Sequence, residues 1–116
     1  MAIYFGHRIF SIYVYVMSVY PNIFELKPNQ LCTYYLTSSY LYYKEDISVL
    51  TDADYDLLCN RLYQKYDEVT HPHKNLIDRE SLGAGTGYGL KEYPTRVKMA
   101  ALCWYNEWKE EDNATS

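Results

Sequence analysis

Residues 40–56, YLYYKEDISVLTDADYD, run from a tyrosine cluster through a short polar break into two carboxylates four apart, with a tyrosine between them. On a helix that spacing puts Asp52 and Asp56 side by side with Tyr55 next to them. The break from Glu45 to Leu50 therefore reads as the join between two amphipathic helices. Upstream, Pro28 suits a helix start and Asn29 is a good N-cap for QLCTYYLTSSYLYYK. Leu31, Tyr34, Tyr35, Ser38, Leu41 and Tyr42 share one side of that helix, at the spacing that buries a stripe. Downstream, Thr51 offers a hydroxyl cap, and Asp52 and Asp54 place negative charge by the unpaired first-turn amides. Leu58, Leu62, Tyr66 and Val69 form the apolar face of the second helix, which ends near Thr70, before His71-Pro72-His73. A short connection makes the two helices antiparallel neighbours.

Beyond this hairpin, Gly83, Gly85, Gly87, Gly89 and Pro94 mark residues 74–94 as a long loop with a short extended piece. A third helix is expected from Thr95 to Glu110, with Val97, Ala100, Ala101, Trp104 and Trp108 as its core stripe. Residues 111–116 read as a frayed tail. The fold class expected is mainly α: a helical hairpin plus a C-terminal helix, preceded by an apolar strand or irregular segment. Residues 1–26 then form an N-terminal extension and residues 27–110 the helical domain.

That extension differs in character from the rest of the chain. Residues 1–24 are almost uncharged apart from Arg8. A secretory signal could use Arg8 and the apolar run Ile9–Met17, yet it lacks a small-residue cleavage site downstream. A membrane anchor needs about 20 apolar residues, and Ser11, Ser18, Pro21 and Asn22 interrupt this one. The alternation of Ile12, Val14 and Val16 with Tyr13 and Tyr15 favours a strand or irregular cover on the core, without removing the membrane alternative.

With 116 residues the chain is the size of one domain, and its 48% hydrophobic and 22% charged composition is that of a globular protein. The excess is in tyrosine, 15 residues, flat side chains with a polar tip. A net charge of -4 provides no basic field for a phosphate backbone, so direct nucleic-acid binding is not expected. Cys32, Cys59 and Cys103 are far apart and odd in number, which points to reduced core thiols of a cytoplasmic protein rather than a disulfide frame or zinc site.

Asp52 and Asp56 could project past a floor made by the Tyr55 ring. Paired carboxylates accept hydrogen bonds only, which suits sugar hydroxyls or a cationic ring better than a phosphate. Tyr42 and Tyr43, at the end of the first helix, could supply an opposite aromatic wall. The same residues also fit a plainer reading, in which the tyrosines fill the core and the acids are a cap and a solvated face. GAGTGYG at 83–89 departs from both phosphate-loop templates and reads as a lid or turn, with Arg79 and Lys91 placed to help an anion bind. His71 and His73 read as a helix stop, since no metal-ligand spacing surrounds them.

Tyr42-Tyr43, then Ile47 to Asp52, then Asp52-Ala-Asp-Tyr-Asp-Leu-Leu58 and finally His71-Pro72 resemble the N-terminal Ia domain of bacterial NAD-dependent DNA ligases. In that family the second helix opens D-A-E-Y-D-x-L and closes near H-P. The resemblance covers about half the chain. It implies a small helical module that clasps the nicotinamide mononucleotide half of NAD. Tyr42 and Tyr55 would then flank the nicotinamide, and Asp52 and Asp56 would hold its ribose or orient the ring. Tyr43 falls where the family usually has His, a group that can donate to or charge-pair with a phosphate. No K-x-D-G nucleophile is present, so the chain is not a ligase on its own. Stand-alone relatives of this kind look like products of bacteriophage genes acting in the host cytoplasm.

Three functions are therefore expected, in this order. The first is a non-catalytic module binding NAD or nicotinamide mononucleotide through Tyr42, Tyr43, Asp52, Tyr55 and Asp56. The second is an interaction protein that keeps the scaffold and presents tyrosines to a host protein. The third is an enzyme that cleaves NAD with Asp52 or Asp56 as base or electrostatic stabiliser.

Overall fold

Pro28 has no amide to leave unpaired, and it opens helix α1, Pro28–Lys44. The computed structural model describes residues 17–115, so the alternating run at 12–16, expected as a strand, lies outside the described residues. Among the described residues three more α-helices follow: α2, Asp52–Lys65; α3, Arg79–Gly83; and α4, Thr95–Thr115. Single 3₁₀ turns stand at Ile23–Glu25, Tyr66–Glu68 and Lys74–Leu76. The architecture is mainly α, with no strand among the described residues.

The residue that caps α1 is Lys27, not Asn29. Its backbone amide donates to Gln30 Oε1 at 2.8 Å, the reaching-back half of a capping box. Asn29 lies inside the first turn, and its amide group joins the two ends of the hairpin. Asn29 Nδ2 donates to Thr70 Oγ1 at 3.0 Å, and Asn29 Oδ1 accepts from the Thr70 amide at 2.8 Å. At the opposite end Ser39 Oγ and Tyr55 OH are 2.7 Å apart. Pairing 29 with 70 and 39 with 55 makes α1 and α2 antiparallel, as their short connection predicts.

Where the sequence predicts one buried stripe on α1, every residue from Leu31 to Leu41 is buried. The helix is the central element, packed on α2 and α4 and covered at its C-terminal half by the glycine-rich loop. Its polar residues survive burial because they turn their hydroxyls onto the helix's own carbonyls. Thr33 donates to Asn29 O at 3.2 Å, Thr37 to Thr33 O at 2.8 Å and Ser38 to Tyr34 O at 2.6 Å. Without those bonds each hydroxyl would cost about 1–3 kcal/mol in an apolar setting. Threonine, serine and tyrosine are mediocre helix formers, so packing rather than propensity holds α1.

The tyrosine excess has a structural use in stapling segments to this central helix. Tyr34 OH donates to Ser18 O at 2.8 Å and also accepts from the Ser18 amide. Trp104 Nε1 donates to Val19 O at 3.0 Å, and its ring meets that of Tyr34 edge-on, 5.1 Å between centroids. Met17 and Ile23 join the core. The segment from Met17 to Ile23 thus packs onto the helical core. Tyr40 packs edge-on against Tyr93 at 5.3 Å. With 34 on 104 and 40 on 93, α4 runs antiparallel to α1.

Val97, Ala100, Ala101 and Trp104 are buried as their spacing predicts, while Trp108 is only half-buried and stacks on Tyr105. The expected frayed tail is helical as far as Thr115. The predicted long loop at 74–94 is more ordered than its glycines suggest, holding a 3₁₀ turn and α3 and no extended strand. Among the described residues no helix is long and apolar enough to cross a membrane.

His71 is the one buried imidazole described. Its Nδ1 accepts from the His73 amide at 3.0 Å, which leaves Nε2 protonated to donate to Thr33 Oγ1 at 2.9 Å. Desolvation, aided by His73, lowers the His71 pKa from 6.5 to about 4. Above pH 6.5 folded and unfolded chains both hold this ring neutral. As pH falls from 6.5 to about 4 the unfolded chain takes up a proton that the folded chain refuses, so stability drops and then levels off. The loss is expected to be on the order of 2 kcal/mol. Thermal melts at pH 7 and pH 4.5 should show a smaller acid-induced fall for His71→Gln, which keeps a donor and an acceptor without a titrating group, than for the native protein.

Candidate functional site

The end of α1 is shaped by one unusual residue. Asp46 takes a left-handed conformation, φ 59°, and turns the chain so that the amides of Glu45 and Ile47 both donate to Leu41 O. Aspartate tolerates that region better than most side chains. The turn carries Ile47, Val49 and Leu50 back over the helix end as a half-buried apolar shoulder. Thr51 then starts α2, its hydroxyl accepting from the Asp54 amide at 3.1 Å.

Between this shoulder, the start of α2 and the glycine-rich loop lies a cavity of about 500 Å³. Tyr42, Tyr43, Asp52, Tyr55 and Asp56 all line it, with Ser38, Ile47 and Gly85 among the rest of its wall. The structure therefore brings together every site residue predicted from sequence, although their parts differ in detail. Tyr42, expected in the buried stripe, is 54% exposed and stands at the rim. It meets Tyr43 edge-on at 4.9 Å, so the two rings form a corner. Asp52 and Asp56 are exposed, with no ion-pair or hydrogen-bond partner for either carboxylate among the described residues.

Tyr55 is the floor. Its ring lies nearly parallel to that of the buried Tyr35, centroids 6.2 Å apart, and its hydroxyl is tied to Ser39. Burial drives the Tyr55 phenol well above the ordinary tyrosine range, so it stays protonated. A neutral ring fixed at both ends is a preorganised stacking surface.

The glycine-rich loop adds Gly85 to the wall and is held by three tyrosine contacts. Tyr35 OH donates to Thr86 O at 2.9 Å, Tyr43 OH lies 2.6 Å from Thr86 Oγ1, and the Gly87 amide donates to Tyr43 OH at 3.3 Å. Gly85, at φ 73°, is left-handed, and a Cβ there would stand 2.7 Å from Asp56 Oδ1. A Cβ on Gly87 would stand 2.6 Å from Ser39 Oγ and 2.7 Å from Tyr55 OH. Two of the four glycines thus exist to let the loop backbone reach the acid and the floor.

Arg79, which the sequence places where it could help bind an anion, instead lies over the rings of Tyr63 and Tyr66 at 5.1 and 5.3 Å. No group of His, Cys, Asp or Glu among the described residues is arranged to hold a metal ion. The three cysteines are free thiols; burial pushes Cys32 and Cys59 up to about 12. Comparisons with protein-family models, with curated proteins and with solved structures found no match.

Sequence reasoning missed Ile47, Val49 and Leu50 as cavity wall, because three apolar residues in a break resemble an ordinary loop. It also missed Ser39 as the anchor of Tyr55. The signal was there in Ser38-Ser39, small polar residues inside an otherwise bulky helix, but only the partner helix shows what they accommodate.

Proposed function

We propose that this chain is a non-catalytic binding module, related to the Ia domain of NAD-dependent DNA ligases, that holds the nicotinamide riboside portion of NAD or nicotinamide mononucleotide. One observation carries the reading: two carboxylates without partners among the described residues and three tyrosine rings, one of them a fixed floor, share a single cavity of about 500 Å³. Small-ligand sites commonly measure about 300–1,000 Å³ and combine aromatic walls with a few convergent polar groups. A flat pyridinium ring can stack on Tyr55 against Tyr42, and ribose hydroxyls can donate to Asp52 and Asp56.

Calorimetric titration with NAD, nicotinamide mononucleotide and AMP tests this. Heat is expected with the two nicotinamide compounds and not with AMP, and Asp56→Ala should weaken binding roughly tenfold or more by removing a charge-assisted acceptor. No heat with any of the three ends the proposal. A second reading, capture of a host protein by exposed aromatics, draws support from Tyr88 at 78% and Phe24 at 64% exposure. A partner that still binds Asp56→Ala but not Tyr88→Ala would favour it.

A further inference from the structure

Among the described residues the cavity is lined by acids and aromatic rings and by neither lysine nor arginine. Lys44, next to Tyr43, is exposed and is not among the lining residues, and four other basic side chains are engaged elsewhere: Arg61 over the Phe24 ring, Lys74 over Tyr66, Arg79 over Tyr63 and Tyr66, and Lys65 with Glu68. Three further features would ordinarily attract a phosphate, and each is already answered. The N-terminus of α2 carries Asp52 and Asp54 in its first turn, which offset its positive end. In the glycine-rich loop the amides of Gly85, Thr86 and Gly87 donate to Leu82 O, Ser81 O and Tyr43 OH. Tyr43 itself shares its hydroxyl with Thr86 Oγ1 and that amide.

We infer that this cavity selects a positively charged aromatic riboside without a phosphate, nicotinamide riboside being the simplest example, over the corresponding nucleotide. The inference rests on the proposed pyridine-riboside reading and sharpens it. A pyridinium ring gains from both carboxylates and from the tyrosine faces, whereas a 5′-phosphate brings a dianion near two like charges with no lysine or arginine among the described lining residues to neutralise it. The carboxylates are exposed, so solvent and salt moderate the discrimination to roughly fivefold to tenfold at low ionic strength.

The experiment is a calorimetric titration of the full chain with nicotinamide riboside, its dihydro form, which is uncharged in the ring, and nicotinamide mononucleotide, in about 20 mM and 300 mM salt. Nicotinamide riboside is expected to bind about fivefold or more tighter than either, with the preference shrinking at high salt. The folded double variant Asp52→Asn with Asp56→Asn should lose most of that preference while its melting temperature stays near the native value. Equal or tighter binding of the mononucleotide overturns the inference and leaves the riboside reading standing. Equal binding of the dihydro form overturns the requirement for charge. Silence with all three overturns the inference and the reading together.

Discussion

Trp104→Ala is expected to destabilise the protein by about 3–5 kcal/mol, the range for removing a large aromatic side chain from a core. Its side chain is 2% exposed, meets Tyr34 edge-on and donates to Val19 O, so the truncation leaves a cavity, an orphaned carbonyl and a loosened N-terminal segment. Domains of this size have about 5–15 kcal/mol in hand, so much of the margin disappears. A fall in Tm of roughly 10–20 °C should result. Trp104→Phe keeps most of the ring volume and loses the N–H, and should fall between the alanine variant and the native protein. Trp108→Ala, at a half-buried position, should cost about 1 kcal/mol. Equal losses at the two tryptophans would contradict the packing described for α4.

Gly87→Ala is expected to cost about 1–3 kcal/mol through overpacking and, separately, to reshape the cavity. The new methyl group would meet Ser39 Oγ at 2.6 Å, Tyr55 OH at 2.7 Å and Ser39 Cβ at 3.0 Å. None of these can retreat cheaply. Ser39 is fully buried in α1, and Tyr55 is stacked on Tyr35. The loop must lift instead, which strains the Tyr35 and Tyr43 contacts to Thr86 and opens the cavity wall. The measurements are a chemical-denaturation midpoint together with ligand titration. Lost ligand affinity beyond that expected from the unfolded fraction identifies the wall, whereas native stability would show that the loop is not packed there. Gly85→Ala makes a useful contrast: its neighbour Asp56 Oδ1 is an exposed side-chain end that can rotate, so the strain comes chiefly from the left-handed backbone.

The hairpin was legible in the chain because its signals are local. Pro28, Thr51 and the three- and four-residue spacing of Leu58 and Leu62 act within one or two turns, and each appears in the structure where its chemistry requires. The carboxylate pair with Tyr55 was legible for the same reason. Local rules also misled where a local role competed with a distant one: Asn29 has good capping chemistry, yet its bond to Thr70, 41 residues away, uses the same atoms. The GAGTGYG loop read as punctuation, since nothing near it in sequence shows that Tyr35, Tyr43 and Tyr55 come to meet it.

Residue order and spacing determine the helices, their caps, the antiparallel pairing of α1 with α2 and the four side chains Tyr42, Asp52, Tyr55 and Asp56 as a candidate group. Tertiary packing alone made α1 a core helix buried on every side, separated Trp104 from Trp108, and enclosed a cavity by laying the loop at 83–89 against α1. The reason is range. A helix face depends on neighbours three or four positions away, whereas a cavity depends on which segments distant in sequence fill the space beside it.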